Sequence, residues 1–434
     1  MAPRPRSTDT RQPPVADPID DFHTRTVEYV FHGARLRFDL ARSLFSSAGI
    51  DPGSALLLRF LQDLPPPVGG RVLDLGCGIG TLGIVLLALD PDRRVTFVDR
   101  DALALRYTEH NLRLNGFDPD DPSLPVRGSL GYDALDPAER FDLVVSNIPG
   151  KAGHDVIDDL VSQAARRGRP GAVVGFVVVN PLAPRLAARL GPVVGAGEGG
   201  TGGNDLDLVF RRANKTHEVF LAVVGENTAD GPPSTSGFER GLYDRETTEF
   251  RAARLTWHAT TVVGLGEFDT LSYATRLFRG ALQGVRAQPA TVVNPGQGHR
   301  AVVAGLAGYR PDIVAGRDLL ALHATRRALA ANGLPVPELR HRVDLDLDLI
   351  DGLPLCCLHA DDKVHAPWFY AQVARWLDRH DEGDRPAGGD RHLVLSGRAS
   401  LLGRLEADLL SRRRRGRVAY KRGERGFRVV RFTR

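Results

Sequence analysis

The spacing of apolar positions alternates between two periods along the first half of the chain. Short apolar runs predict strands, and the segments between them have helical spacing, which together predict a parallel sheet covered by helices on both faces. Two later runs predict an antiparallel hairpin that closes the sheet. The predicted sheet strands are 71–74, 94–99, 125–128, 141–146 and 172–179, and those of the closing hairpin are 205–210 and 217–224.

Two elements are predicted before this sheet. Polar and apolar residues alternate over 24–40, which predicts a hairpin that turns near Gly33. Asp51 and Ser54 then supply the start signal of a helix over 55–61.

Three glycines follow the first strand of the sheet at every second position. They are Gly76, Gly78 and Gly80, with Asp74 before them and an apolar helical segment directly after them. Strand, glycine turn and helix are typical of a nucleotide-binding corner, because glycine lets the backbone turn sharply and lie close to a ligand. The next strand ends at Asp99, whose carboxylate can accept hydrogen bonds from both hydroxyls of a ribose. The Gly-x-Gly-x-Gly spacing favours S-adenosylmethionine over a dinucleotide.

The chain is long enough for more than one hydrophobic core. Its 434 residues, 42% hydrophobic and 25% charged, are typical of a soluble globular protein of two domains. The three cysteines, Cys77, Cys356 and Cys357, fit neither disulfide pairing nor a metal site, which predicts a reducing, cytoplasmic compartment. The amino terminus lacks the apolar centre of a signal peptide, and no apolar run has the length of a membrane span.

Positive charge is concentrated at the carboxyl terminus. The net charge is +4, but the segment that begins at Arg412 and ends at Arg434 carries eleven Arg or Lys residues against one acid, Glu424. Its pattern predicts a terminal hairpin with strands at 417–422 and 427–432. A basic segment on an acidic body favours binding to polyanions such as RNA, although a solvated basic face explains the charge equally well.

The second half of the chain repeats the first. Residues 318–333 align without a gap to residues 101–116 with eight of sixteen identities, and residues 293–298 match residues 73–78. We therefore interpret the chain as an internal duplication of one α/β unit. The replacements that this alignment gives in the second copy are Arg300 for Gly80, Asn294 for Asp74 and Gly316 for Asp99. An arginine in place of a glycine should obstruct the pocket, so the second copy is expected to serve as a structural or docking domain.

A candidate acceptor site follows the fourth strand of the sheet. Asn147 offers a side-chain carbonyl, Ile148 offers a backbone carbonyl, and Pro149 stiffens the turn. Two carbonyls can accept both hydrogens of an amino group and so orient its nitrogen lone pair, as in-line methyl transfer requires. No strong base is needed, because the proton can leave after transfer. The alternative is a loop that only turns the chain.

Residues 38–224 resemble the class I methyltransferases that modify the exocyclic amine of guanine in small-subunit and large-subunit ribosomal RNA. Members of that family also combine a working and a degenerate copy, although the degenerate copy comes first in the best-known members and second here. The motifs that carry the resemblance are 44–46, 49–54, 56–58, 72–80, 98–99, 114–116 and 141–147.

The resemblance implies an α/β fold of two tandem Rossmann-like class I methyltransferase domains, the second degenerate, with S-adenosyl-L-methionine as cofactor. The predicted division is a disordered arm at 1–22, a catalytic domain at 23–225, a linker at 226–243 and the degenerate domain at 244–434. The expected cofactor contacts are Asp74, Gly76, Cys77, Gly78, Gly80, Asp99, Arg100, Ser129, Leu130 and Asn147, and the expected catalytic residues are Asn147, Ile148 and Pro149.

One departure from the family pattern concerns the target base. The family has Asn-Pro-Pro followed by an aromatic residue whose ring stacks on the base, whereas Gly150 stands at that place in this chain. A flipped base would then need another stacking surface, such as Tyr132 or Phe45, or the acceptor is not a nucleobase.

The leading hypothesis is a methyltransferase that modifies an amino nitrogen in ribosomal RNA, with the second domain and residues 412–434 bound to the phosphate backbone. Two other hypotheses stay open: a methyltransferase for a small molecule or peptide in specialised metabolism, and a non-catalytic RNA-binding factor. A duplication can supply within one chain the interface of a dimer, which is compatible with a monomer. No metal site is predicted at His359, Asp361, Asp362 and His365, which occupy the equivalent of the Asn147 loop in the second copy.

Overall fold

The computed structural model describes residues 22–62, 69–194, 205–226, 231, 233, 235–267, 269–343, 352–360, 366–378, 390–411 and 417–434, with backbone alone at 410 and 411. The predicted arm up to residue 21, the start of the predicted linker at 227–230, residues 361–365 and residues 412–416 lie outside these ranges.

The first half of the chain forms a hairpin followed by a seven-stranded sheet. The hairpin consists of β1 (His23–Phe31) and β2 (Ala34–Ala41). The other elements are α1 (Pro52–Leu61), β3 (Arg71–Leu75), α2 (Thr81–Leu89), β4 (Arg94–Asp99), α3 (Ala102–Leu114), β5 (Val126–Gly128), β6 (Phe141–Asn147), α4 (His154–Arg167), β7 (Gly168–Val179), α5 (Ala183–Leu190), β8 (Leu206–Ala213) and β9 (His217–Val224). The sheet has the order β5-β4-β3-β6-β7-β9-β8, in which the first five strands are parallel and β9 is antiparallel to β7 and β8. The predicted parallel sheet and both of its hairpins are confirmed.

The second half repeats this architecture element by element. Its elements are β10 (Asp244–Ala252), β11 (Leu255–Val262), α6 (Tyr273–Leu282), β12 (Pro289–Val293), α7 (His299–Leu306), β13 (Arg310–Gly316), α8 (Leu319–Ala331), β14 (Glu338–His341), β15 (Leu355–Ala360), α9 (Ala366–Asp378), β16 (His392–Arg398), α10 (Ala399–Ser411), β17 (Arg417–Glu424) and β18 (Phe427–Thr433). The sheet order is β14-β13-β12-β15-β16-β18-β17, the same as in the first half. The predicted duplication of an α/β unit is therefore confirmed, and the terminal hairpin is the equivalent of β8 and β9.

The structure corrects the alignment of the two copies at the glycine turn. Gly80 and Gly298 are the residues that precede α2 and α7, with φ of 83° and 89°, so Gly298 and not Arg300 stands in the place of Gly80. Asn294, with φ of 52°, takes the place of Gly76, with φ of 73°. The strand registers place Val292 at the position of Asp74 and confirm Gly316 at that of Asp99. Arg300 follows Gly298 by two residues, as Leu82 follows Gly80, so Arg300 is the equivalent of Leu82. The sequence alignment was wrong by two residues, because a glycine pattern of period two still matches after a shift of two.

Helix α2 holds the glycine turn in place. Its residues 81–87 are all buried. A Cβ at Gly83 would lie 2.2 Å from Cε1 of Phe97, so only glycine lets α2 pack this closely on β4. Helix α2 is apolar throughout but only nine residues long, and no helix among the described residues is long and apolar enough to cross a membrane.

The end of the predicted linker packs against the first half of the chain. Phe238 and Tyr243 are buried in the same apolar cluster as β6 and α4. The amide of Gly237 donates to Asp133 Oδ1 at 2.8 Å, and Arg240 Nη1 lies 2.7 Å from Asp159 Oδ1. Residues 237–243 are thus attached to the first unit before the second begins at β10.

Candidate functional site

The glycine turn joins β3 to α2 above the carboxyl ends of β3 and β4. The amides of Gly76 and Cys77 both donate to the carbonyl of Val98, at 2.9 and 3.0 Å, which attaches the turn to β4. Gly76 and Gly78 have φ of 73° and 59°. A Cβ on either residue would meet no protein atom within 4 Å. The turn therefore presents bare backbone to open space, which fits a bound cofactor.

Two residues of the turn face the protein interior instead. A Cβ at Gly80 would lie 2.8 Å from Cδ1 of Ile84, so Gly80 is required by packing as well as by its left-handed conformation. The Cys77 side chain is buried, its Sγ lies 3.4 Å from Thr108 Oγ1, and burial raises the pKa of the thiol. Any cofactor contact of these two residues would have to use their backbone.

Asp74 holds the first turn of α2, and Asp99 holds the middle of the glycine turn. Asp74 Oδ2 accepts from the amide of Gly83 at 2.8 Å, and Asp99 Oδ2 accepts from the amide of Gly78 at 3.0 Å. Asp74 is 1% exposed and its Oδ1 is buried without a hydrogen-bond partner among the described residues. Asp99 is half-buried, and its Oδ1 accepts from the amide of Asp101 at 2.9 Å. A ribose hydroxyl can therefore reach Asp99, whereas Asp74 supports the turn from inside.

The buried carboxyl of Asp74 makes the stability of the protein depend on pH. Burial raises the pKa of Asp74 to about 7, while in the unfolded chain the pKa is about 4. Between these values the folded state retains a proton that the unfolded state has lost, so this group destabilises the fold progressively as the pH rises. Without cofactor, Asp74→Asn should gain about 2 kcal/mol in unfolding free energy relative to the wild type between pH 5 and pH 7. Urea unfolding of both proteins across this range measures the difference, and a constant difference would contradict the assignment.

Three predicted cofactor contacts have other partners. Arg100 Nη2 lies 3.4 Å from Asp318 Oδ2, in the second half of the chain. Ser129 is buried, and its Oγ donates to the carbonyl of Gly131 at 2.8 Å. Leu130 is 3% exposed and belongs to an apolar cluster. Each of these side chains thus has a partner within the fold, and cofactor contacts by these three residues stay a prediction.

Asn147 lies at the end of β6 and is held by the start of α1. Its Nδ2 donates to Asp51 Oδ2 at 2.6 Å and to Ser54 Oγ at 3.1 Å. A carboxylate can only accept, so the atom that faces Asp51 must be the amide nitrogen and Oδ1 faces the other way. Asp51 also caps α1, since its carboxylate accepts from the amide of Ser54. The Asn147 side chain is thus held with its Oδ1 directed away from Asp51.

Sequence reasoning missed the role of Asp51 and Ser54 at this site. Both residues belong to the 49–54 motif and were interpreted only as the start signal of a helix. They are 96 and 93 residues away from Asn147 in the chain. The signal that could have found them is the 49–54 motif itself, because Asp51 and Ser54 are its polar residues and the motif is part of the resemblance.

The residues after Asn147 form the rim of the site. Ile148 is 2% exposed, and its amide donates to the carbonyl of Val177 at 3.0 Å, which fixes the backbone of the loop to β7. Among the described residues, none donates a hydrogen bond to the Ile148 carbonyl. Pro149 and Gly150 are exposed, and the Pro149 carbonyl accepts from the amide of Ala152 at 3.1 Å.

The two candidate stacking residues differ in exposure. Tyr132 is 1% exposed and its hydroxyl donates to the carbonyl of Leu160 at 2.9 Å, so its ring cannot stack on a base. Phe45 is 70% exposed. It lies in the segment that connects β2 to Asp51, the residue that holds Asn147. The structure therefore excludes Tyr132 as a stacking surface and leaves Phe45.

The second copy has filled the space below its glycine turn. A Cβ at Gly296 would lie 3.6 Å from Nη2 of Arg300, where the equivalent Gly78 has open space. Arg300 is 3% exposed, and its Nη1 lies 3.0 Å from Glu267 Oε2. Burial alone would raise the pKa of Glu267, but the Arg300 guanidinium holds that pKa below its usual range. The expected obstruction by Arg300 thus agrees with the structure, although this residue occupies the position of Leu82.

The acceptor position is also altered in the second copy. The strand registers place His359 where Asn147 lies in the first copy. Its Nδ1 lies 3.0 Å from Ser396 Oγ. The described part of the chain contains no group of three or more His, Cys, Asp or Glu side chains that could hold a metal ion, and Asp361, Asp362 and His365 lie outside that part.

The first half has the Rossmann-like fold of class I methyltransferases, with a glycine turn and two carboxylates, and it is followed by a second unit of the same topology that lacks both carboxylates. Residues 35–191 match the family described as Methyltransferase small domain. The predicted resemblance to the ribosomal RNA guanine-N2 methyltransferases is confirmed for this part of the chain.

Individual relatives match the same region. Ribosomal RNA small subunit methyltransferase C of Pseudomonas aeruginosa is 36% identical over 163 residues, which cover 36% of this chain and 46% of that protein. The protein of the same name from Actinobacillus pleuropneumoniae is 34% identical over 146 residues, 33% of this chain and 42% of its own length. The chain thus spans about half the length of the curated relatives it matches.

One solved structure matches the whole architecture. The 16S rRNA N2 methyltransferase RsmC of T. thermophilus, solved with AdoMet and guanosine, covers 94% of this chain and 97% of its own, with a TM-score of 0.60 and 18% sequence identity. At this identity the match establishes the fold alone, and it extends over both halves of the chain.

Proposed function

We propose that this protein is an S-adenosylmethionine-dependent methyltransferase that methylates a base amino group, that of guanine, in ribosomal RNA. The observation that carries the proposal is the orientation of Asn147, whose amide nitrogen is bound by Asp51 and Ser54 so that Oδ1 is available to a substrate donor. The names of the relatives support the choice of ribosomal RNA as substrate.

The proposed cofactor site consists of Asp99 and the bare backbone at Gly76 and Gly78. Asp99 would accept hydrogen bonds from ribose hydroxyls, and the two glycines would leave room for the cofactor beside the turn. When bound, S-adenosylmethionine supplies an electrophilic methyl group.

The chain itself contributes orientation. Asn147 Oδ1 and the Ile148 carbonyl would each accept one hydrogen of the amino group, so that the nitrogen lone pair points away from both carbonyls and is free to react. Their partial negative charges would also stabilise the positive charge that the nitrogen acquires during methylation. The proton is then released to water, so no strong base is required at the site.

Phe45 is the proposed stacking surface for the target base. It is exposed, and the segment 43–51 that contains it begins at Ser43 beside the second unit and ends at Asp51 beside Asn147. An aromatic ring can stack on any base, which would compensate for the glycine at position 150.

The second unit is the proposed docking surface for RNA, but several of its terminal cations already have partners within the fold. Lys421 and Arg428 contact Glu406, and Arg431 and Arg434 donate to backbone carbonyls. Lys421 is exposed although it is paired with Glu406, and the other exposed cations in the described part of the terminal hairpin are Arg417, Arg422 and Arg425. These three are the proposed phosphate contacts of the hairpin.

Incubation with methyl-labelled S-adenosylmethionine tests the proposal. Unmodified ribosomal RNA and a small-metabolite extract are offered in parallel, and digested RNA is examined for N2-methylguanosine. Label in the metabolite fraction alone would support the small-molecule hypothesis. Cofactor binding without label in either fraction would support a non-catalytic factor.

In the same assay, Phe45→Ala should raise KM for RNA about tenfold, because stacking on an aromatic ring contributes about 1–3 kcal/mol per base. The affinity for S-adenosylhomocysteine should not change. Val30→Ala is the matched control, since Val30 is also an exposed apolar side chain. An unchanged KM in the Phe45 variant would remove Phe45 from the acceptor site.

A further inference from the structure

The two copies meet through equivalent segments. Asp101 and Asp318, which precede α3 and α8, pair as an antiparallel bridge. The amide of Ala102 donates to the carbonyl of Arg317 at 2.8 Å, and the amide of Leu319 donates to the carbonyl of Arg100 at 3.0 Å. The interface therefore follows an approximate two-fold relation between the copies.

Each copy extends one arginine across this interface. Arg317 Nη2 lies 2.6 Å from Asp101 Oδ2 and 3.0 Å from the carbonyl of Ser43, and its Nη1 lies 3.0 Å from Ser43 Oγ. Arg100 makes the mirrored contacts, with Asp318 at 3.4 Å and with the carbonyl of Gly264 at 3.3 Å. Arg317 thus makes one contact more than Arg100, at shorter distances.

The two arginines hold segments of unequal importance. Asp101, held by Arg317, donates its amide to Asp99 Oδ1, the proposed ribose acceptor. Ser43, the other residue held by Arg317, begins the segment that carries Phe45 and ends at Asp51. Arg100 contacts the second copy, where Gly316 replaces the ribose carboxylate. Of these two arginines, Arg317 is therefore the one that joins two sides of the proposed active site.

His341 strengthens the contact on the same side. It ends β14, as Gly128 ends β5, and its ring lies against Gly128, where a Cβ would be 2.7 Å from His341 Nδ1. His341 Nε2 lies 2.9 Å from the carbonyl of Arg100 and 2.8 Å from that of Arg317, so Nε2 is the donor. The second copy thus holds the backbone that follows Asp99.

We propose that Arg317 is a positioning residue for the cofactor site of the first copy. This role rests on the proposed function. Besides docking RNA, the degenerate copy then has a second task, because the guanidinium of Arg317 fixes the Asp99–Asp101 segment and the Phe45 segment in one geometry. Arginine suits this task, because its planar fork of donors can bind a carboxylate, a hydroxyl and a carbonyl at once, whereas lysine offers a single ammonium.

Binding of S-adenosylhomocysteine by titration calorimetry tests the proposal on the full chain. Arg317→Ala should raise Kd about tenfold or more, as expected for the loss of charged hydrogen bonds that support a ligand-binding segment. Arg317→Lys keeps the charge but loses the fork, and it should raise Kd by a smaller factor. The matched control is Asp318→Ser, which removes the mirrored ion pair and keeps a residue able to cap α8.

Melting temperatures of the three variants separate positioning from general loss of stability. The proposal requires that Asp318→Ser bind S-adenosylhomocysteine like the wild type even where its melting temperature falls as far as that of the Arg317 variants. Equal weakening by Asp318→Ser and Arg317→Ala would overturn it, as would wild-type affinity in both Arg317 variants. A wild type that binds no S-adenosylhomocysteine would instead refute the proposed function, and this inference with it.

Discussion

Replacing Asn147 by alanine should lower kcat by about 100- to 1,000-fold, the size of effect seen when one preorganised polar group at a reaction centre is removed. The variant loses the Oδ1 acceptor that would orient the amino group, while the cofactor site at Asp99 keeps all its contacts. Single-turnover methyl transfer at saturating S-adenosylmethionine and RNA measures the effect, and the Kd for S-adenosylhomocysteine should change less than threefold.

Ser54→Ala provides a graded test of the same arrangement. It removes one of the two acceptors that bind Asn147 Nδ2 and leaves the contact with Asp51. The loss in kcat should therefore be smaller than for Asn147→Ala, about tenfold, because a side chain that is less firmly held spends less time in the reactive geometry.

His154→Ala is the control for changes near the acceptor loop. His154 is exposed at the start of α4, seven residues after Asn147, and its replacement should leave kcat unchanged. If Asn147→Ala lost cofactor affinity together with turnover, Asn147 would be a structural residue and the acceptor would have to be sought elsewhere.

Replacing Asp99 by alanine should weaken the binding of S-adenosylmethionine about 100-fold or more. Two hydrogen bonds from ribose hydroxyls to a carboxylate account for most of this loss, since each such bond contributes about 1.5–3 kcal/mol. The variant also loses the acceptors for the amides of Gly78 and Asp101, so the glycine turn becomes less ordered. Equilibrium dialysis with labelled cofactor measures the change directly.

Asp92→Ala serves as the matched control for Asp99→Ala. Asp92 is an exposed aspartate just before the amino end of β4, whereas Asp99 lies at the carboxyl end of the same strand. It should retain wild-type affinity. Tight binding by Asp99→Ala would show that the pocket has been assigned to the wrong carboxylate.

The residues that could be predicted best are those whose role depends on local backbone geometry. Positive φ at Gly76, Gly78 and Gly80 follows from a turn that other residues rarely adopt, so the glycine spacing identified the turn correctly. Asp101 and Asp318, the first residues of the two aligned segments, have the same role in the structure, since they cap α3 and α8. The parallel sheet and its closing hairpin followed from the alternation of apolar periods, whereas the order of the strands in the sheet came from the structure.

The surroundings of a side chain could not be predicted where they depend on which element packs against which. Tyr132 and Phe45 are both aromatic residues near predicted strand ends, but one is buried under α4 and the other is exposed. Arg100 follows the ribose carboxylate directly, yet its side chain turns to Asp318 in the second copy.

The sequence by itself determined that this chain contains two copies of a Rossmann-like unit and that one copy retains a glycine turn with two carboxylates. These features can be recognised from spacings of a few residues, because backbone conformation and strand periodicity are local properties. Only the tertiary structure decided the direction in which Asn147 presents its side-chain carbonyl. It also decided that Arg300, at the position equivalent to Leu82, fills the space below the glycine turn of the second copy. The contacts of Arg317 with Asp101 and Ser43 in the first copy were likewise decided by the tertiary structure. Each of these depends on contacts between segments far apart in the chain, which sequence spacing does not encode.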